Sequence, residues 1–171
     1  VCQNTAISKL VYDFISGFDR QNDDGTTTPV NGQLPLFRNF DETTGNPLPR
    51  PNTLLIDSEQ LESGDALDKN FRGMAADEIE RFRREIVERT GDARAGDNIT
   101  DQELLREVMN TVGKHGRLGG AIRCVVSVSM LTEGWDANTV THILGIRAFG
   151  TQLLCEQVIG RALRRQSYDL N

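Results

Sequence analysis

The sequence predicts a doubly wound α/β fold with a mainly parallel central sheet, because short apolar strands alternate with amphipathic helices along its 171 residues. Residues 53–57 and 122–128 are nearly continuous in apolar character and rich in β-branched side chains, as strands covered on both faces are. In such sheets ligands bind at the loops that follow the carboxyl ends of the strands. The loops at those ends are therefore where a ligand is expected to bind.

The first predicted elements are a strand and a helix in direct succession. Residues 1–5 are β-prone, and apolar side chains then recur at helical spacing until Gly17 ends the pattern. The residues of this stripe are Ile7, Leu10, Val11, Phe14 and Ile15. This is the pattern of a strand entering a helix.

Residues 18–52 are predicted to be a loop-rich insertion. All five prolines lie between Pro29 and Pro51, among Asp, Asn, Gly and Thr residues, so the segment cannot sustain a regular helix. A small hairpin is predicted around Leu34–Phe40. A loop of this length is either mobile or a binding feature, and we expect it to be partly disordered in the isolated domain.

Two helices and two further elements follow the strand at 53–57. An amphipathic helix is predicted from Ala75 to Thr90, ended by Gly91. Thr100 and Glu103 have the spacing of a capping box, and a core stripe continues to Gly113. Residues 140–146 are predicted to form another strand, and residues 152–165 a helix.

Composition excludes several classes of protein. The net charge is −6, which argues against nucleic-acid binding through charge alone, but residues 115–171 carry six basic and four acidic side chains. Three cysteines without a CxxC pair, and two histidines, predict no metal site and no disulfide framework. No apolar run spans a bilayer and the first residues do not resemble a signal peptide, so a cytoplasmic protein without membrane contact is expected.

The segment QVIGRALRR, residues 157–165, has the residue types that bind a polyphosphate. Gln157, Arg161 and Arg164 recur at spacings of four and three, so a helix would point them from one face. Gly160 would leave room for a close neighbour there. Guanidinium groups give bidentate hydrogen bonds and a permanent charge to a γ-phosphoryl group. The alternative is a basic helix end that makes surface ion pairs.

The segment TEGWD, residues 132–136, follows the predicted strand 122–128 and is a second candidate for ligand contact. Gly134 would let the backbone approach a ligand, and the carboxylate of Asp136 could accept from a ribose hydroxyl or hold arginines. The alternative is a strand-to-loop turn with a capping Asp.

Together these segments resemble conserved motifs of superfamily 2 helicases. VVSVSMLTEGWDA resembles motif V, QVIGRALRR resembles motif VI, and VCQNTAISKLVYDFI resembles motif IV with its following helix. The residues in these motifs are most similar to those of the helicase (Res) subunit of type III restriction enzymes and related bacterial DEAD/DEAH-box proteins. The resemblance implies that residues 1–171 are a second RecA-like domain, a three-layer sandwich belonging to a larger protein.

The resemblance also implies roles for eight residues. Arg161 and Arg164 would reach the γ-phosphate as catalytic residues. Gly134, Asp136 and Gln157 would bind the nucleotide. Ser129, Thr132 and Thr5 would contact the nucleic-acid backbone, although many family members have Thr where this chain has Val128.

Neither a phosphate-binding GxxxxGK[ST] loop nor an Asp-Glu metal box is found in the sequence. The resemblance therefore implies that ATP and Mg²⁺ are held mainly by a preceding RecA-like domain of the same polypeptide. The partners implied are DNA, with RNA as the alternative, and a methyltransferase subunit. The expected function is that of an ATP-dependent DNA translocase or helicase whose isolated domain is inactive. A helicase-like binding module without motor activity is the rival, and a stand-alone nucleotide-binding domain would need its own phosphate loop.

Overall fold

The computed structural model describes residue 2, residues 4–56, 72–73, 75–128 and 139–146, and residues 152, 156, 159 and 160. Over this part of the chain the protein has a mixed α/β fold, with helices, one antiparallel hairpin and one parallel pair of strands. None of the helices described there is long and apolar enough to cross a membrane.

Helix α1, Thr5–Ser16, confirms the predicted helix, while in the described residues of the β-prone segment at 1–5 only Cys2 forms bridges and Thr5 already belongs to the helix. It ends at Gly17, whose φ of 91° favours glycine. The apolar stripe of α1 is not buried as a whole, because Leu10 is 70% exposed and Phe14 is 60% exposed. Ser8 and Ser16 are buried instead.

The two buried serines explain how α1 packs against the strands β3, Thr53–Ile56, and β4, Cys124–Ser127. Small side chains let a helix approach a sheet closely. Burying the hydroxyls costs little here, since Ser8 Oγ donates to the carbonyl of Thr5 at 2.9 Å and Ser16 Oγ donates to that of Tyr12 at 2.8 Å. The apolar pattern alone does not reveal this face.

The insertion contains a hairpin, but at a different place from the one predicted. Strand β1, Gly17–Gln21, pairs antiparallel with β2, Thr27–Asn31. Its turn is closed by the Asp24-Gly25 pair, with Gly25 at a φ of 79°. The predicted hairpin around Leu34–Phe40 is replaced by a short 3-10 helix, Pro35–Phe37, because proline suits the first position of a helix.

The side chain of Asn39 joins the insertion to the rest of the fold. Its Nδ2 donates to the hydroxyl of Tyr12 and to the carbonyl of Thr53, each at 2.9 Å. Its Oδ1 accepts from the backbone N–H groups of Asn52 and Thr53, each at 2.9 Å. Asn39 is buried, and its backbone N–H also donates to the carbonyl of Ser16 at 2.9 Å. The amide thereby connects α1, the insertion and the start of β3.

The two predicted strands at 53–57 and 122–128 form the parallel pair. β3 pairs with β4 in the register Thr53 to Cys124 and Ile56 to Ser127. Cys2 lies on the other side of β4, in a parallel bridge with Val128. The sheet therefore brings distant parts of the chain side by side.

The strand predicted at 140–146 was wrong in extent. Only Ile146 bridges, in parallel, to Cys2. Because α1 already begins at Thr5, the segment around Cys2 is too short to offer a longer ladder. Thr139 instead donates its hydroxyl to the carbonyl of Val112, which ties this segment to the end of a helix.

Helices α2, Ala76–Thr90, and α3, Asp101–Asn110, agree with the sequence predictions. α2 ends at Gly91 with a φ of 70°, and both hydrogen bonds of the capping box between Thr100 and Glu103 are present. α3 ends three residues before Gly113 because the following turn folds back on it. At that turn Gly119 lies so close to α3 that a Cβ would stand 2.1 Å from the carbonyl oxygen of Val108.

The main core lies between α3, its neighbours and one face of β3. Its buried members are Leu54, Ile56, Ala75, Leu104, Leu105, Val108, Met109, Leu118 and Ile122. Side chains alternate between the two faces of a strand, so Thr53 points away from this core. Its hydroxyl donates to the carbonyl of Phe37 at 2.7 Å, and the insertion thus covers the other face.

Replacing Asn39 with alanine is expected to destabilise the protein by about 3 kcal/mol, because it leaves buried partners without hydrogen bonds. Urea unfolding measures this loss. Asn46→Ala, in an exposed turn of the same insertion, is the matched control and should cost less than about 0.5 kcal/mol. Equal midpoints for the two variants would contradict the role assigned to Asn39.

The capping box predicts a dependence of stability on pH. The backbone N–H of Thr100, and then its hydroxyl, hold the pKa of Glu103 below the ordinary value of 4.5. A lowered folded-state pKa stabilises the protein above the ordinary value, and that contribution is lost as the pH falls through the folded-state pKa.

Glu103→Gln keeps the hydrogen-bonding geometry and removes the charge. We expect it to be less stable than the unmodified chain at neutral pH, with the difference closing as the pH falls from 4.5 through the lower folded-state pKa. Urea unfolding over a pH series measures the difference. Glu80→Gln, at an exposed carboxylate on α2, is the control. A difference that does not change with pH would refute the assignment.

Candidate functional site

The parallel segments define one edge of the sheet as the candidate site. In chain order the segments are Cys2, β3, β4 and Ile146. In the sheet their order is β3, β4, Cys2 and Ile146. Later segments of the chain therefore lie on both sides of Cys2, the first segment. At such a reversal the loops after adjacent strands part and leave a crevice at the carboxyl ends. We call this side the carboxyl edge.

Two loops leave the carboxyl edge next to each other. One follows Cys2 and contains Asn4 and Thr5, and the other follows Val128. The N–H of Cys2 donates to the carbonyl of Ser127 at 2.7 Å, so the first loop begins where β4 ends. Because the segments are parallel, Cys2 and Val128 lie at the same edge of the sheet.

Thr5 is the one predicted site residue whose surroundings are described. It is the first residue of α1 and is exposed. The helix start is held by Asn4, whose Oδ1 accepts from the N–H of Ile7 at 2.9 Å. The hydroxyl of Thr5 makes no hydrogen bond within the described part of the chain, so it is available to a ligand at the positive end of the helix dipole.

The other seven predicted site residues lie outside the described residues: Ser129, Thr132, Gly134, Asp136, Gln157, Arg161 and Arg164. Ser129 follows Val128 directly in the sequence, and Val128 belongs to the parallel bridge with Cys2. The segment with the motif V resemblance, which begins at Val125 inside β4, therefore reaches the carboxyl edge at Val128, beside the start of α1.

The described residues of the predicted helix at 152–165 are helical and exposed. Gln152 donates to the carboxylate of Glu156 at 2.6 Å, four residues later, and Ile159 is 47% exposed. The expected close neighbour of Gly160 is not found, since no described atom lies within 4 Å of a Cβ built there. Gly160 belongs to the exposed stripe that these residues form.

Two clefts in the described structure lie elsewhere. One, of about 350 Å³, is lined by α2 and the turn that follows it. The other, of about 340 Å³, lies between α2, α3 and the loop before β4, where Glu107 is half-buried and burial raises the pKa of its carboxyl. Arg117 in that cleft pairs with Glu85. Because acids and bases alternate around both clefts, neither presents a single sign of charge to a ligand.

The described residues contain no group of three or more His, Cys, Asp or Glu side chains placed to hold a metal ion. Of the cysteines described there, Cys2 is buried and Cys124 is half-buried. Burial raises the pKa of the Cys124 thiol, which disfavours the thiolate that would bind a metal.

Comparison with known proteins found no match: no family model, no curated protein and no solved structure is similar to this chain at a significant level.

The sequence analysis did not single out Asn39, although its side chain makes four hydrogen bonds that join the insertion to α1 and β3. A lone asparagine in a proline-rich loop has no pattern around it. The available signal was Asn52-Thr53, a polar pair at the start of an apolar strand, which needs a polar partner when buried.

Two neighbouring residues at the start of α1 are expected to have different roles: Asn4 stabilises the fold, and Thr5 is available to a ligand. Asn4→Ala is expected to lower the free energy of unfolding by about 1 kcal/mol, because the N-cap hydrogen bond is lost. Thr5→Ala should change it by less than about 0.5 kcal/mol. Urea unfolding of both variants measures these values. A loss at Thr5 as large as that at Asn4 would mean that Thr5 serves the fold.

Proposed function

We propose that this chain is the second motor domain of an ATP-dependent DNA translocase or helicase of the type III restriction-like group. The observation that carries the proposal is the carboxyl edge, where the loop with Thr5 leaves the sheet beside the end of β4. The segment that resembles motif V begins at Val125 inside β4 and continues past that end in the sequence. Neighbouring loops at one sheet edge are what a nucleotide or a nucleic-acid backbone would contact together.

The mixed α/β architecture is consistent with the three-layer RecA-like sandwich that the proposal requires. α1 packs against β3 and β4, and the core with α3 includes Leu54 and Ile56. Thr53 of the same strand faces the insertion. Helical and insertion residues thus cover both faces of β3, as a sandwich of this kind needs.

The proposed chemistry belongs to Arg161 and Arg164. In the proposed complex their guanidinium groups contact the γ-phosphate of an ATP held by a first motor domain and stabilise the charge that develops on it. Gln157 orients toward the same phosphates, while Gly134 and Asp136 contact the nucleotide and its ribose. Guanidinium groups suit this task because they stay charged and donate in pairs.

ATP and Mg²⁺ are assigned mainly to the first motor domain. The sequence has no phosphate-binding loop, and the described residues hold no group of metal ligands. When bound, Mg²⁺ supplies charge neutralisation of the phosphates. This chain supplies arginines from the opposite side of the nucleotide.

The proposed cycle couples the arginine contact to nucleic-acid binding. With ATP present the two domains close, and Ser129, Thr132 and Thr5 contact the backbone of the strand. Hydrolysis removes the γ-phosphate and with it the arginine contact that favours the closed state. Since binding differs between the closed and open states, each cycle can shift one domain along the strand. A methyltransferase subunit is the proposed protein partner, in the cytoplasm.

The test is ATP turnover, with and without duplex DNA, of the polypeptide that carries this chain together with its first motor domain. Arg164→Ala is expected to lower DNA-stimulated turnover by roughly a thousandfold, the effect of removing an arginine that stabilises phosphoryl transfer. ATP binding should be retained. Arg165→Ala is the matched control, because this neighbouring arginine lies outside the QxxGRxxR spacing.

Unchanged turnover in Arg164→Ala would overturn the motor proposal and favour a helicase-like docking module. Equal losses in Arg164→Ala and Arg165→Ala would show that turnover depends on basic charge in this helix and not on a positioned arginine. RNA in place of duplex DNA, as a parallel stimulant, decides between the two nucleic acids.

A further inference from the structure

The hairpin of the insertion has a defined hydrogen-bonding pattern. The N–H of Asn22 donates to the carbonyl of Thr26 at 2.9 Å, and Gly25 N–H donates to the carbonyl of Asn22 at 3.0 Å, so the ladder starts at the pair Asn22–Thr26. In an antiparallel ladder, hydrogen-bonded pairs alternate with pairs whose backbone groups point outward. The outward-pointing pairs are therefore Gln21 with Thr27 and Asp19 with Pro29.

The outer edge of β2 is closed to further pairing. Pro29 has no N–H to offer at its outward position. The turn at 41–46 also lies against it, since a Cβ built on Gly45 would stand 3.0 Å from Cγ of Pro29. Proline at an outward position is a common means of blocking a strand edge.

The outer edge of β1 is open. Asp19 and Gln21 are exposed, and within the described part of the chain their outward N–H and C=O groups make no hydrogen bond. Alternate residues thus present two donors and two acceptors, which is the spacing that an added strand uses. The hairpin therefore has one closed edge and one open edge.

The charges around the open edge of β1 indicate which kind of strand can pair with it. Asp19 stands on β1, and Asp23 and Asp24 lie in the adjoining turn, against the single cation Arg20. The hydroxyl and N–H of Thr26 hold the pKa of Asp24 below its usual range, so this carboxylate is ionised at neutral pH. A second copy of the hairpin would bring acid against acid, which is unfavourable across a ladder. A basic strand would bring opposite charges together.

We propose that β1 docks an extended, lysine- or arginine-rich peptide segment of a partner protein as a third strand, through the backbone of Asp19 and Gln21. Backbone hydrogen bonds supply affinity in this mode, and side chains at alternate positions supply selectivity. Basic residues of the peptide would stand beside Asp19. The partner is thus a protein recognised by an extended basic segment.

This surface is separate from the carboxyl edge. β1 begins where α1 ends, and a helix of 12 residues is about 18 Å long. Thr5 lies at the opposite end of that helix. The proposal therefore does not depend on the motor function, and the two can fail independently.

The test uses the 171-residue chain and a short synthetic peptide in which lysine alternates with threonine and valine. Amide chemical shifts and hydrogen exchange are measured by NMR during titration. Binding should shift and protect the amides of Asp19 and Gln21. The same peptide with glutamate in place of lysine should bind at least roughly tenfold more weakly, as is expected of reversed charges at an exposed edge.

Two proline variants test the edge itself. Gln21→Pro removes an outward N–H from β1 and is expected to weaken binding roughly tenfold, the effect of about 1.4 kcal/mol. Thr27→Pro is the matched control, because Thr27 stands opposite Gln21 and its N–H points from the closed edge of β2. It should bind as the unmodified chain does. Asp19→Lys leaves the backbone intact and should reverse the preference between the two peptides.

Equal weakening by Gln21→Pro and Thr27→Pro, or no shift at Asp19 and Gln21, would overturn the proposal. If Gln21→Pro does not fold, the reversal expected of Asp19→Lys decides alone, and an unchanged preference overturns the proposal. Shifts at Asp19 and Gln21 that grow with protein concentration before any peptide is added would assign the edge to a second copy of the chain instead.

Discussion

The fold of the described region depends on one buried amide. All four hydrogen bonds of the Asn39 side chain are made, to Tyr12 of α1 and to the backbone at Asn52 and Thr53, and its backbone N–H reaches the end of α1. A buried amide is costly when unpaired and specific when every partner is in place. Asn39 therefore sets where the insertion lies, how α1 ends and where β3 begins. Around it, Gly32 lies so close to α1 that a Cβ would stand 2.0 Å from the carbonyl oxygen of Ile15, so this junction leaves no room for a side chain.

That junction divides the molecule into two ends with different tasks. The insertion occupies the beginning of β3, while the loops after Cys2 and β4 leave from the opposite, carboxyl edge. Along β3, the insertion therefore contacts the end away from the carboxyl edge. Its hairpin instead projects from the far end of α1 with one closed and one open strand edge. In the two proposals taken together, a docking strand on the side away from the ligand would bind a partner without obstructing the motor cycle.

Local sequence signals predicted the elements whose hydrogen bonds lie within a few residues. The capping box of Thr100 and Glu103 and the end of α2 at Gly91 are of this kind. Features that involve distant partners were predicted incorrectly or not at all. Leu10 and Phe14 are exposed because small serines bring the other face of α1 to the sheet, and the segment ending at Ile146 has only a short partner at Cys2. For the candidate site, the sequence named eight residues, and the structure describes the surroundings of Thr5 alone. The arginine assignments rest on the motif spacing.

The sequence by itself determined the mixed α/β class, the strands β3 and β4 and the ends of α2. The reason is that burial of apolar side chains and helix capping depend on the type and spacing of residues that are close in the sequence. Only the tertiary structure decided that β4 lies between β3 and Cys2, which places the loops after Cys2 and β4 together. It also decided which face of α1 is buried and where the insertion folds into a hairpin. These outcomes depend on contacts between residues far apart in the chain, and such contacts are chosen by the joint packing of all the elements rather than by any one of them.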